Sequence, residues 1–264
     1  MSRERTIAMN PNRFKQILTF NSDGIITYVM SSSFRIHYNH GFQKALALSN
    51  HNPNNLQIII LKIPSSDKQD DFTFNKGIQG YQGFLSKFTN NVYYIDNLSD
   101  FFYSLLKKSR HVIKDRAYST NQLIVEKTIE QHLDKNFISM TLVESNVLQP
   151  VCYNKTDKNS TISNIEQYLD LDDSKAPTFL YEQEAKDILQ HFIQYSLALY
   201  NPRNASSNSI LTKLSSLLED GYISPIDIYQ KVLQQNSDTG KTFITDFLLK
   251  RESTIREDYH NKND

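Results

Sequence analysis

The stretch LQIIILKI, Leu56–Ile63, joins β-branched and aliphatic residues in a short run. Such a run is typical of a strand that is buried on both faces of a sheet. IITYVM at Ile25–Met30, which follows Gly24, and VYYI at Val92–Ile95 have the same character. Because strands of this kind belong to parallel sheets covered by helices, the three stretches favour an α/β fold.

Two further strands are predicted, a short one at His111–Lys114 and a last one at Phe137–Val143. Between the strands, apolar residues recur at helical spacing. The predicted helices span Tyr38–Asn50, Ile78–Phe88, a segment from Asn97 or Ser99 to Leu106, and Asn121–Leu133. The alternation of strands and helices predicts a Rossmann-like, doubly wound parallel sheet of five strands in residues 1–152.

The residue composition changes after this region. Residues 153–176 are polar and acidic, which predicts an inter-domain linker. Residues 177–264 are predicted to form a partial all-helical domain. In it, Ser224 and Pro225 have the types expected at the N-cap and first position of a helix, and a last helix is expected from Lys241 to Leu249.

Charge and cysteine content restrict the class of protein. The chain has 29 basic and 29 acidic residues, so its net charge gives no overall attraction to nucleic acid. The single cysteine, Cys152, excludes an intramolecular disulfide. No apolar run approaches the ~20 residues of a membrane span, and the charged start Met1–Arg5 is followed by no apolar signal core. We therefore expect a cytoplasmic protein.

Two motifs suggest chemistry that the residues around them do not support. Gly240-Lys241-Thr242 matches the end of a phosphate-binding loop, but Gln235 stands where that motif needs a glycine, so a helix start is expected instead. His37 and His40 follow the first strand, where α/β sheets bind ligands. They have no carboxylate or cysteine at metal-ligand spacing, so an exposed loop and no metal site are expected.

A basic cluster near the fourth strand could contact phosphates. The alternative, which we favour, is a solvated cluster at a helix C-terminus, where the helix dipole favours cations. The cluster consists of Lys107, Lys108, Arg110, His111, Lys114 and Arg116.

Five segments, in chain order, resemble one known family. They are Tyr28–Met30 with Phe34–Gly41, Lys114–Tyr118, VESNVLQPV at Val143–Val151, Thr212–Pro225 and Phe247–Glu252. They are similar to segments of class II DNA photolyases, members of the photolyase/cryptochrome family. The resemblance implies a flavin-dependent lyase, a deoxyribodipyrimidine photo-lyase, that repairs cyclobutane pyrimidine dimers in DNA with light. The Val143–Val151 match is the most specific, because it keeps residue type and spacing throughout.

The resemblance also implies a cofactor site. The resemblance implies that FAD is bound by Tyr195, Thr212, Lys213, Leu214 and Ser215, and that hydroxyls and backbone amides at the start of the Thr212–Pro225 segment hold its pyrophosphate. Ser216, Glu219 and Asp220 depart from the family, which has Pro, His and Phe there. Two carboxylates beside a pyrophosphate would repel it, so weak flavin binding or none is expected.

The resemblance ends near Glu252, and the chain contains no Trp. It therefore implies a truncated or degenerate photolyase with weak or no repair activity, with damaged DNA as its partner and with an antenna chromophore of unknown kind. Two alternatives remain open: a non-catalytic chromophore- or partner-binding module built on the α/β domain, and a photolyase completed by a separate chain.

Self-association or a partner chain is a further expectation. The apolar faces of the helical half would be left uncovered if further helices normally pack on them. The residues expected on these faces include Phe192, Ile228, Val232, Phe243 and Phe247.

Overall fold

The computed structural model describes residues 10–62, 80–150, 180–203 and 208–263. Its six strands form one mixed sheet in the order β1-β6-β5-β2-β3-β4. The strands are β1 Phe14–Leu18, β2 Ile25–Met30, β3 Leu56–Leu61, β4 Val92–Ile95, β5 Ser109–Asp115 and β6 Ser139–Val143. The predicted linker and both domain boundaries lie outside the described residues, so the division into domains stays a prediction.

The sheet confirms the predicted α/β class and corrects the strand count. β2 lies at the centre, pairs parallel with β3 and β5, and the chain winds outward on both sides. β1 was not predicted, and it pairs antiparallel with β6 at the edge. Its sequence, FKQIL, has two exposed polar residues in the middle, so it lacks the continuous apolar run of a buried strand.

Helices cover both faces of the sheet. In the first half these are α1 His40–Leu48, α2 over residues 80–85, α3 Asp100–Leu106 and α4 Thr120–Lys135. Ser119 caps α4 through a capping box with Gln122. The inner face of α3 carries Phe102, Leu105 and Leu106 as predicted, but Phe101 is turned outward and is 54% exposed.

The second half of the described chain is helical, as predicted. It contains α5 Leu180–Tyr195, α6 Ser209–Glu219, α7 Pro225–Leu233, α8 Asp238–Phe243 and α9 Lys250–Asn263. A π-helical turn, Ile244–Leu249, joins α8 to α9. Ser224 caps α7 by accepting a hydrogen bond from the Ile226 N–H, as the sequence predicts. The helix predicted for Lys241–Leu249 is therefore the middle of a longer helical segment, which begins with α8 at Asp238 and ends with α9 at Asn263.

The expectation of uncovered apolar faces was wrong. Phe192, Ile228, Val232 and Phe243 are buried, and Phe247 is partly buried. They belong to one apolar cluster that also contains Tyr28 and Ile58 of the sheet. The helical half therefore covers its own apolar surface by packing with the α/β half. Self-association itself stays untested.

The opposite face of the sheet has a core of its own. Val29, Ile59 and Val112 of the strands pack with Phe102 of α3 and Ile129 of α4. Among the described residues, none of the helices combines the length and the apolar character that a membrane crossing requires.

Candidate functional site

The carboxyl ends of β2 and β5 meet because these strands are parallel neighbours, with Val29 opposite Lys114. Asp115, at the end of β5, accepts hydrogen bonds from the backbone N–H groups of Ser31 at 3.0 Å and Ser32 at 3.1 Å. Its other oxygen lies 2.8 Å from the Tyr28 hydroxyl. Burial raises the pKa of Asp115, although these hydrogen bonds oppose the rise. Asp115 therefore fixes the turn that leaves β2.

Arg35, in the loop between β2 and α1, connects three separate segments and is only 1% exposed. Its guanidinium donates to the Ser145 carbonyl at 2.7 Å, to Asn146 Oδ1 at 2.6 Å and to the Gly221 carbonyl at 2.9 Å. Burial lowers the pKa of Arg35 to about 10, so the group is still charged at neutral pH. Its charge and its fork of donors hold the segment after β6 and the turn after α6 to this loop.

The turn after α6 allows this close approach because Gly221 has no side chain. Its φ is +79°, a left-handed conformation that favours glycine. A Cβ at this position would lie 2.0 Å from the Ser32 carbonyl oxygen. The helical half and the loop after β2 are therefore in direct backbone contact.

His37 connects the sheet to α5, which corrects the expectation of an exposed loop. Its Nδ1 lies 2.5 Å from Oε1 of Glu182, and the Ile36 and His37 N–H groups donate to the same carboxylate at 3.0 Å each. Burial alone would raise the pKa of Glu182, but the His37 hydrogen bond and charge, with Lys186, outweigh it and lower the pKa. His40 is buried too. His37 is held inside by its contact with the helical half, and His40 is buried at the first position of α1.

The basic cluster divides into two parts, which corrects the expectation that all of it lies in solvent. Lys107, Lys108 and Arg110 are exposed at the start of β5, where His111 is partly buried and lies 2.8 Å from the Thr141 hydroxyl. Lys114 and Arg116, at its other end, are buried and lie 3.8 and 3.9 Å from the Glu126 carboxylate of α4.

We call Tyr28, Arg35, His37, Asp115 and Glu182 the strand-end cluster. Its members bond to one another and to backbone groups of the loops around them. Carboxyl ends of parallel strands are the usual place for ligands in α/β folds. Here the polar groups are used to hold two halves of the chain together, so the cluster has a structural role.

An open groove of about 480 Å³ lies between α5 and α6. Its lining residues are Glu184, Asp187, Ile188, His191, Ser209, Ile210 and Lys213. Lys213 pairs with Glu184 at 2.9 Å, and both side chains are about half exposed. One lysine thus faces two carboxylates, which gives the groove a negative formal balance.

The predicted flavin residues lie on helices around this groove, and only Lys213 lines it. Tyr195, at the end of α5, is exposed and contacts the ring of His191. Thr212 is exposed, Leu214 is buried in the core and Ser215 lies 3.5 Å from Glu219. They are not brought together as a set of phosphate ligands, because Thr212–Ser215 lies inside α6 and not at its start.

The first amides of α6 are already occupied. Asn208 Oδ1 accepts hydrogen bonds from the N–H groups of Ile210 at 3.1 Å and Leu211 at 3.2 Å. Glu219 and Asp220, expected to repel a pyrophosphate, lie at the opposite end of α6 from the groove. Glu184 and Asp187 of the groove would exert that repulsion instead. The groove therefore fits the phosphates of a dinucleotide only weakly.

Other candidate motifs are structural. Gly240 lies in the first turn of α8, where its N–H donates to the N-cap Ser237, so the expected helix start is confirmed. Across residues 10–62, 80–150, 180–203 and 208–263, no group of three or more His, Cys, Asp or Glu side chains is arranged to hold a metal ion.

Sequence patterns did not reveal Glu182 or the groove carboxylates. Glu182 and Glu184 stand close together in one amphipathic helix, and only the tertiary structure turns the first inward. Asp115 had a detectable signal, since a carboxylate directly after a buried strand marks the ligand-binding edge of an α/β sheet.

Comparison with known proteins gives the fold a wider context. No protein-family model matches the chain, and no curated protein sequence matches it. The sheet, wound on both sides of β2 and followed by a set of helices, defines an α/β fold of the Rossmann-like class.

Two solved structures share this fold across most of the chain. A bacterial class III photolyase from Agrobacterium tumefaciens superposes with a TM-score of 0.67 and 13% identity, over 94% of this chain and 61% of that one. A cryptochrome from Synechocystis gives a TM-score of 0.64 and 13% identity, over 90% and 62%. The fold is therefore photolyase/cryptochrome-like, and its sheet matches the N-terminal Rossmann-like domain of photolyases. The chain spans about three fifths of either structure's length.

Proposed function

We propose that this chain carries the α/β domain and the first flavin-domain helices of a class II cyclobutane pyrimidine dimer photolyase. FAD is then the implied cofactor, damaged DNA the implied partner, and light-driven repair the implied reaction. We further propose that the chain alone binds FAD weakly and repairs little or no DNA. Its expected place in the cytoplasm stays a prediction.

The observation that supports this proposal is the convergence of the resembling segments in space. Arg35 comes from the first segment, and its partners Ser145, Asn146 and Gly221 come from two others. Residues from three of the resembling segments, far apart in the sequence, are thus direct hydrogen-bond partners.

The last segment joins the same arrangement. Glu252, on α9, accepts a hydrogen bond from the Leu148 N–H at 2.8 Å. Arg251 donates to the Asn146 carbonyl at 3.2 Å. If the five segments resembled the family only by chance, we would not expect their residues to contact one another. Their mutual contacts therefore support the resemblance.

The groove supports the proposed weakness of FAD binding. Lys213 offers a cation to a phosphate, but Glu184 and Asp187 share the lining. This balance also favours the second candidate, a non-catalytic module that binds a chromophore or a partner through its α/β half.

Titration with FAD, followed by flavin fluorescence, tests cofactor binding. We expect weak saturable binding that Lys213→Glu abolishes, with Lys241→Glu as the control, because Lys241 is an exposed lysine on α8. Absence of saturable binding would contradict the photolyase proposal and favour the non-catalytic module.

Repair is tested by illuminating a dimer-containing oligonucleotide with the FAD-loaded chain. The controls are a dark sample and an illuminated sample with FAD alone. We expect no loss of dimers above these controls. Efficient light-dependent repair would overturn the proposed weakness and establish the full photolyase activity.

A further inference from the structure

The end of α4 carries an aromatic residue in a backbone conformation that glycine usually takes. Ile138 N–H donates to the Leu133 carbonyl at 3.0 Å, and Phe137 N–H donates to the Asp134 carbonyl at 3.1 Å. This pair of hydrogen bonds is the Schellman motif, whose C′ residue is left-handed. Phe137 occupies that position with φ +57°. A bulky residue there is a genuine outlier, because its Cβ crowds the backbone.

The same residue is also among the most exposed apolar side chains of the described chain. Phe137 is 67% exposed, and its ring contacts Phe20 edge-on at 5.6 Å. Glycine at this position would remove both the strain and the exposed ring. The packing of the core does not require a phenylalanine at this position. A strained residue that packing does not require is a reason to look for a function.

Exposed lysines lie on the same edge of the sheet as Phe137. Phe20 is fixed by two hydrogen bonds to Ser139, and Ser22, two residues on, donates to the Arg110 carbonyl at 3.3 Å. These hydrogen bonds fix the Phe20 segment beside the start of β5, whereas the Arg110 guanidinium turns to the end of α1 and donates to the Leu48 carbonyl at 3.2 Å. We call Phe20, Lys107, Lys108, Lys135 and Phe137 the Phe137 patch.

Lys107 and Lys135 belong to the same surface. The ring of Tyr103 on α3 contacts that of His132 on α4 at 4.4 Å, so the C-terminal ends of the two helices lie side by side. Burial lowers the pKa of His132, and the charges of the two lysines lower it further. Two exposed carboxylates, Asp23 and Asp134, also lie on this edge. Three lysines against two carboxylates leave the surface with a positive formal balance of one charge.

Helix dipoles explain part of this arrangement but leave Phe137 unexplained. Lys107 and Lys135 stand at the C-terminal ends of α3 and α4, where cations are stabilised. The dipole gives no reason for an exposed aromatic ring in a left-handed conformation. The combination of a flat ring and cations around it is what binds unpaired bases and their phosphates.

We propose that the Phe137 patch binds single-stranded nucleic acid, with a base stacked on Phe137 and phosphates held by Lys107, Lys108 and Lys135. The strand-end cluster lies at the carboxyl ends of the parallel strands, whereas the Phe137 patch lies at the amino-terminal ends of β5 and β6, on the opposite side of the sheet. The proposal is therefore independent of the photolyase proposal and needs neither flavin nor a damaged base.

A membrane surface is a less suitable occupant. Insertion into lipid needs several apolar side chains together. The next strongly exposed apolar residue on α4 is Ile124, more than three turns from Phe137. Binding to anionic vesicles is therefore an outcome that the experiment must exclude.

The test measures fluorescence anisotropy of a short labelled oligothymidine with the full chain at low salt. Phe137→Gly is expected to weaken binding between about fivefold and a hundredfold, as loss of one stacked base does. Because glycine suits the left-handed position, this variant is expected to melt at the same temperature or higher. Phe137→Asn, which also tolerates this conformation, should weaken binding in the same way.

Phe101→Ala is the matched control, since Phe101 is an exposed phenylalanine that contacts Tyr93 of β4 and not the patch. It should leave binding unchanged. Lys107→Gln with Lys108→Gln should reduce the slope of log affinity against log salt by about 0.7 for each phosphate that the variant no longer neutralises.

Four outcomes would overturn the proposal. They are absence of oligothymidine binding by the unaltered chain, equal binding by Phe137→Gly, equal weakening by Phe101→Ala, and displacement of the oligonucleotide by anionic vesicles or a polyglutamate peptide at equal charge. None of them depends on whether FAD binds or dimers are repaired.

Discussion

Glu182 and Glu184 lie on the same helix, α5, but they differ in their exposure to solvent and in their partners. The Glu182 side chain is 1% exposed and takes two backbone amides, His37 and Lys186 as partners. The Glu184 side chain is 46% exposed and pairs with the solvated Lys213. The strand-end cluster is thus fixed by partners within the chain, whereas the groove leaves its charges to solvent or ligand. Position on a helix, and not residue type, separates structural from available charges.

The largest expected effect is in the strand-end cluster. Arg35→Ala removes the guanidinium, and the buried oxygen atoms of three segments then lose their hydrogen-bond donor. We therefore expect a loss of about 3–5 kcal/mol in the free energy of unfolding. Urea unfolding followed by circular dichroism measures it. Arg35→Lys, which keeps the charge but loses the fork of donors, should recover only part of the loss. A loss below about 1 kcal/mol would show that the cluster is not a structural connection.

The two glutamates give the next effect. Glu182→Gln should cost about 1.5–3 kcal/mol at neutral pH, the usual range for hydrogen bonds to a charged group. Glu184→Gln, the same chemical change on the same helix, should cost little.

The cost of Glu182→Gln should also depend on pH. The pKa of Glu182 is lowered by folding from its ordinary value of 4.5. Its contribution is therefore complete above the unfolded value and disappears as pH falls through the lower folded value. The difference between the unaltered chain and Glu182→Gln should shrink in acid. A cost that stays constant across this window would contradict the assignment.

The groove carboxylates should affect ligand affinity and not stability. If the groove receives the FAD pyrophosphate, Glu184→Gln with Asp187→Asn should raise the affinity for FAD by about fivefold, because an exposed charge pair contributes about 1 kcal/mol. Flavin fluorescence titration measures it, with Asp238→Asn, an exposed carboxylate on α8, as the control. Unchanged affinity would mean that FAD does not contact this groove.

The smallest effect is expected from the groove lysine. Lys213→Met breaks an exposed ion pair, so the free energy of unfolding should change by less than about 1 kcal/mol. A larger loss in urea unfolding would mean that the Lys213–Glu184 pair is structural. The contrast between groove and cluster would then weaken.

Strands β2, β3 and β4 could be predicted from the sequence because continuous apolar runs have few alternatives to burial. β1 could not, since an edge strand with Lys15 and Gln16 in solvent shows no such run. The last strand begins at Ser139 and not Phe137, because the left-handed Phe137 ends α4. The strand-end cluster depends on the approach of Arg35 to Gly221, which no local pattern reveals.

Arg35 and Gly221 have a consequence for how the protein unfolds. Separation of the two halves would exchange the Arg35 hydrogen bonds to the Ser145 and Gly221 carbonyls for hydrogen bonds to water. It would also expose the apolar cluster that both halves share, and this exposure is the larger penalty. Although the sequence has the composition of two domains, heating should therefore melt the described parts in one cooperative transition, with equal calorimetric and van't Hoff enthalpies.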